Sequence, residues 1–77
     1  MIVEFDTVAL ATDLPDHHLE SGDVGTIVMV HGDGLGYEVE FASLGGETIA
    51  VVTLPADSVR TLRRTEIAHA REFAWAQ

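Results

Sequence analysis

Hydrophobic residues recur along the chain at more than one spacing. Tyr37-Glu38-Val39-Glu40-Phe41 alternates strictly, three apolar side chains on one face and two carboxylates on the other, which is the pattern of a half-buried β-strand. Residues 7–11 (T-V-A-L-A) read as a second strand with room to run back toward Ile2. Asp13-Leu14-Pro15-Asp16 ends it, because proline fixes φ and aspartate favours turn geometry. After the turn signal Ser21-Gly22-Asp23, residues 24–30 (V-G-T-I-V-M-V) are rich in β-branched side chains and apolar on both sides, as expected of a strand wound into a small barrel. Gly25, near the start of that run, suits a bulge or a close approach of backbones. Gly32-Asp33-Gly34-Leu35-Gly36 predicts a hairpin loop, Leu44-Gly45-Gly46-Glu47 a turn, and residues 48–54 a further strand. Pro55-Ala56-Asp57-Ser58 predicts a single helical turn before a short strand over residues 59–62. Five short strands at this spacing predict an all-β fold bent into a small barrel.

The period changes after Thr65, which reads as an N-cap. Residues 66–76 are alanine-rich and hold neither glycine nor proline, and Ile67, Ala70 and Ala74 share one helical face with Phe73 and Gln77 beside it. The expectation is a C-terminal α-helix of about three turns. Residues 1–62 then form the barrel and residues 63–77 a helical tail.

Seventy-seven residues make one domain, and a chain this short buries only about 60% of its unfolded surface. Hydrophobic residues nevertheless make up 47% of it, which points to a folded chain, part of it covered by a second one. Cysteine is absent, so disulfides and thiolate metal sites are excluded. Eleven of the thirteen carboxylates lie in the first 59 residues, which contain no lysine or arginine; Arg60, Arg63, Arg64 and Arg71 are the basic residues. Such an acidic body repels phosphate and anionic lipid and attracts basic protein surfaces. Neither nucleic acid nor membrane is therefore an expected partner. Nothing at the N-terminus reads as a signal peptide, the longest apolar run falls far short of the ~20 residues of a membrane helix, and the expected location is the cytoplasm.

Four stretches carry a family resemblance: V-A-L-x-x-D-L-P at 8–15, G-D-V-G-T-I-V at 22–28, Y-E-V-E-F at 37–41 and V-T-L-P-A-D at 52–57. Together they resemble a family of small bacterial proteins, domain of unknown function 4926, over about three quarters of the chain. Gly25 opening an apolar strand is also similar to the second half of a KOW-type motif, which implies an SH3-like barrel. The family resemblance supplies no reaction, cofactor or catalytic residue. It implies a binding role, of the kind found in toxin–antitoxin-like gene pairs.

Candidate chemistry is sparse. Asp16-His17-His18-x-Glu20 has metal-ligand residue types, but neighbouring side chains of an extended segment point to opposite sides, and solvated loop histidines are the preferred reading. The glycine-rich loop at 32–36 leads into a strand and lacks a lysine, so it is a hairpin rather than a phosphate cradle. Ser21, Ser43 and Ser58 lie in turns without a base to serve them. No catalytic residue, metal site or cofactor is assigned, and the protein reads as non-enzymatic. The arginines are expected to pair with the body's own carboxylates or with those of a second copy.

Two functions follow. The first is an acidic protein-binding module, antitoxin-like or immunity-like, that docks a basic protein partner through Asp13, Asp16, Glu20, Glu38 and Glu40, with Asp23 beside them. The alternative is a homo-oligomer, a homodimer in its simplest form, with a structural or assembly role. Its interface would be the tail helix with Ile67, Phe73 and Trp75, side chains worth about 1.5–3 kcal/mol each when buried.

Overall fold

The computed structural model describes residues 1–75. Five strands, β1 (Thr7–Leu10), β2 (Val24–His31), β3 (Gly36–Ala42), β4 (Thr48–Pro55) and β5 (Val59–Thr61), form one sheet in the order β4-β3-β2-β1-β5. Every neighbouring pair is antiparallel. One-turn 3₁₀ helices occupy Pro15–His17 and Ala56–Ser58, the second at the predicted helical turn. The all-β expectation and its five strands thus hold, and β4 and β5 stand at the two ends of the strand order.

Strand β3 is built as its alternation dictates. Tyr37, Val39 and Phe41 are buried, while Glu38 and Glu40 lie on the other face. Val39 sits between Ile27 of β2 and Val52 of β4, and Phe41 lies opposite Ala50. With Val8, Leu10, Leu19, Leu54 and Val59 these side chains make a single core, each large member contributing about 1.5–3 kcal/mol by leaving water.

β2 explains its two-sided apolar sequence by a change of phase. Ile27 pairs with Val39 but Met29 pairs with Glu38, leaving Val28 as an extra residue in a bulge. Ile27 therefore points into the core while Met29, two positions on, is 46% exposed; Val30 returns to the core side. A second shift makes Ile49 the extra residue of β4, between the rungs Phe41–Ala50 and Ala42–Thr48. Gly25 meets the other expectation, close approach. A Cβ there would stand 2.7 Å from Val39 Cγ1 and 2.9 Å from the Glu40 carbonyl oxygen.

Two expectations fail. β1 does not run back to Ile2, because Phe5 adopts a left-handed conformation (φ 71°) just before it. Its N–H donates to the Ile27 carbonyl at 2.7 Å, and the Asp6 carboxylate accepts the Val3 N–H at 2.9 Å, so the N-terminal residues turn aside.

The C-terminal α-helix is absent: residues 62–75 contain no helix, and Ala76 and Gln77 of the predicted helix lie outside the described residues. Thr65 caps nothing; it belongs to a turn that the Glu66 N–H closes on the Arg63 carbonyl at 3.0 Å. The physical reason lies in geometry and length. An isolated helix of this length is marginal in water. It would also set residues 71 and 73 about 200° apart, on opposite sides. The observed irregular path lets both meet the body.

Candidate functional site

The site is the loop between β1 and β2, residues 11–23. Leu14 and Leu19 form an isolated antiparallel bridge, exchanging backbone hydrogen bonds of 2.9 and 3.1 Å across the one-turn helix Pro15–His17. Leu19, 3% exposed, anchors the loop in the core. His18 caps the turn in a left-handed conformation (φ 58°) that histidine tolerates better than most residues, its N–H donating to the Pro15 carbonyl. Two carboxylates brace the rest. Asp13 accepts the Ser21 N–H at 2.8 Å, and Asp23 accepts the Glu20 N–H at 2.8 Å.

Onto this loop comes Arg71, 48 positions away from Asp23 in the chain. Its Nε donates to Asp23 Oδ1 at 2.9 Å and its Nη2 to Asp23 Oδ2 at 2.5 Å, a two-pronged guanidinium–carboxylate pair. Nη2 also donates to the His18 carbonyl at 3.1 Å, and Nη1 stands 3.6 Å from Glu20 Oε2. Phe73 packs against the core, edge-on to the His18 ring at 6.3 Å, and Trp75 meets Phe73 edge-on at 5.0 Å. The Arg71 guanidinium lies 6.0 Å from the Phe73 ring centre. Beside it is a shallow open pocket of about 340 Å³, lined by Asp13, Pro15, His18, Glu20 and Ala74 among others.

Partial burial on its own would push the Asp23 carboxyl up. The Arg71 hydrogen bond, the Glu20 N–H and the Arg71 charge outweigh it and hold the group below its ordinary value. The Asp23 hydrogen bond raises Arg71 in turn. A second clasp lies at the root of the tail. Arg60 donates to both Glu66 oxygens at 3.0 and 2.7 Å, and the Arg63 N–H donates to Oε1 at 2.6 Å. The Arg60 hydrogen bond, followed by that N–H, lowers the Glu66 carboxyl to about 2.

The predicted acidic residues separate into two sets. Asp13 and Glu20 gather in this loop with Asp23, and Asp16 lies exposed on the one-turn helix beside them. Glu38 and Glu40 belong to β3, where Glu38 contacts His31 Nε2 at 3.1 Å and Glu40 accepts the Thr48 hydroxyl at 2.6 Å. Ile67, Phe73 and Trp75 share no helical face: Ile67 is 92% exposed, while Phe73 is half-buried on the body. No cluster of three or more metal-ligating side chains occurs among the described residues. No helix among them is long and apolar enough to cross a membrane.

The expected pairing of the arginines with the body's own carboxylates is met by Arg71 on Asp23 and Glu20, whereas the loop as its seat and Phe73 beside it were not foreseen. A sequence signal that groups the tail residues is the spacing of two between Arg71, Phe73 and Trp75. The His18 carbonyl had no side-chain signal at all.

A family model described as Domain of unknown function (DUF4926) matches residues 4–61. The chain belongs to this family. The DUF4926 match takes in all five strands and the whole acidic loop, and it ends at the last residue of β5. Asp13, Glu20 and Asp23 fall within the matched residues, whereas Arg71 and Phe73 lie beyond them. Neither a curated protein nor a solved structure matches the chain.

Proposed function

We propose that this protein is a non-enzymatic acidic module that docks a basic protein partner, in the manner of an antitoxin or an immunity protein. The observation that carries this reading is the seat of Arg71, a cation held on the body by Asp23, Glu20 and a main-chain carbonyl. Charge supports it, since the eleven carboxylates before Arg60 are accompanied by no basic residue other than histidine. Their summed field speeds the approach of a cationic surface and repels an anionic one. Glu38 and Glu40, on the other face of β3 from its buried side chains, add a second acidic set apart from the loop.

We infer further that the sheet curls into an SH3-like barrel. The strand order, the 3₁₀ turn between β4 and β5, and a core drawn from all five strands support this reading.

Light scattering after size exclusion, on the chain alone and co-expressed with the product of its neighbouring gene, tests the function. The expected result is a stoichiometric complex with a basic protein that loosens as salt rises. A chain that associates only with itself would overturn it in favour of self-assembly. The exposure of Ile67 and the place of β4 at the end of the strand order lend that second reading its support.

A further inference from the structure

The acidic loop lies within the DUF4926 match and the group that fills it lies outside. Receptor and ligand thus lie on either side of the end of the match. We propose that the seat formed by Asp23, Glu20 and the His18 carbonyl, beside the pocket lined by Asp13, His18 and Glu20, recognises a segment of a partner protein that carries arginine followed two residues later by an aromatic side chain. The chain's own Arg71-Glu72-Phe73 is its resident competitor. This rests on the reading that the module docks a basic protein, and it names what that protein presents.

The chemistry of the seat selects its occupant. Asp23 offers two oxygens to two nitrogens of one planar guanidinium, a match that a lysine ammonium does not make. The left-handed turn at His18 supplies a third acceptor, its carbonyl. Arg71 and Phe73, two residues apart, meet the same loop. The arginine then reaches Asp23 while the ring covers His18 and the edge of the core. Residues 67–70, which lead up to the seat, are all exposed, so recognition is concentrated in Arg71 and the aromatic residues after it.

The ion pair is only partly shielded from water, and pairs near the surface are weak, which makes the tail displaceable. Its tether gives it a local concentration in the millimolar range, so a partner must bring further contacts to displace it. The acidic face of β3 offers such contacts.

The test uses the full-length chain carrying Arg71→Gln and Phe73→Ala, with its amide spectrum confirming an intact sheet. The probe is a fluorescent peptide with the sequence of residues 68–75, read by anisotropy. The double variant is expected to bind it at least tenfold more tightly than the wild-type chain. Replacing the peptide's arginine by lysine, or adding Asp23→Asn to the double variant, is expected to remove that gain. Equal binding to wild type and double variant, or indifference to Asp23→Asn, would overturn the proposal. So would a wild-type dimer that the double variant converts to monomer, because the occupant would then be the tail of a second copy. A basic partner captured equally well with and without Asp23→Asn would leave the docking function standing while this pocket fell. Peptide binding without any partner complex would do the reverse.

Discussion

β3 and the end of the tail carry the same pattern and meet different fates. In Tyr37-Glu38-Val39-Glu40-Phe41 and in Arg71-Glu72-Phe73-Ala74-Trp75 alike, a set of three side chains recurs at a spacing of two. β3 has β2 and β4 along its two edges, so its backbone is paired and its apolar face is closed off from water. The tail is paired with no strand among the described residues; Arg71 and Phe73 attach it to the loop by their side chains. A spacing of two therefore marks side chains that can act together. Whether a strand results depends on the hydrogen-bond partners that the rest of the chain supplies.

Truncating one ring in each region separates the two most clearly. Phe41→Ala empties a fully buried position and is expected to destabilise the fold by about 3–5 kcal/mol, measured by chemical denaturation. Phe73→Ala is expected to change the same midpoint far less and to release the tail instead, seen as altered Trp75 fluorescence. An equal loss at the two positions would make the tail part of the core. Next in size is Gly25→Ala. The added methyl would overlap Val39 and the Glu40 carbonyl, and the expected cost is about 1–3 kcal/mol by thermal or chemical unfolding. Asp23→Asn comes third. It removes the charge that Arg71 grips, with at most about 1 kcal/mol of stability at stake. Faster amide exchange at residues 70–75, with β3 unaffected, is the expected signature.

The smallest effect is one of pH. Glu66 titrates in the folded chain near 2, below its ordinary 4.5, so its clasp on Arg60 is complete above the ordinary value and is lost as pH falls toward 2. Asp23, also lowered, has the same sign: its hold on Arg71 is present near neutrality and weakens in acid. Carboxyl carbon shifts followed from pH 7 to 2 check both. A Glu66 midpoint at 4.5 would remove the clasp from this picture.

Most of the fold was legible because strand periodicity and turn chemistry act locally. The alternation of β3, the glycine loops and the turn at Pro55 are each written within a few residues. The tail was misread because its local signals, alanine content and the absence of breakers, favour a helix, while the contacts that decide its course lie 48 positions away at Asp23. The acids of the candidate site were visible as residue types. Their division between the loop and β3 was not, since it depends on which strands pair. Leu19 gave no hint of its anchoring role, because one leucine between polar neighbours carries no period.

The bulge at Val28 has a bearing on how the sheet finds its alignment. In two regularly alternating strands, a slide of two residues leaves every side chain on its proper side, so such a misalignment is inexpensive and hard to correct. β2 changes phase partway along, between Ile27 and Met29. Sliding it against β3 by two positions moves the irregularity away from its matching rung, and the residues between the old place and the new one then face the wrong way. A local imperfection in pairing thus works as a key that turns in one position only, and mispaired forms of the β2–β3 hairpin are penalised before the core closes over them.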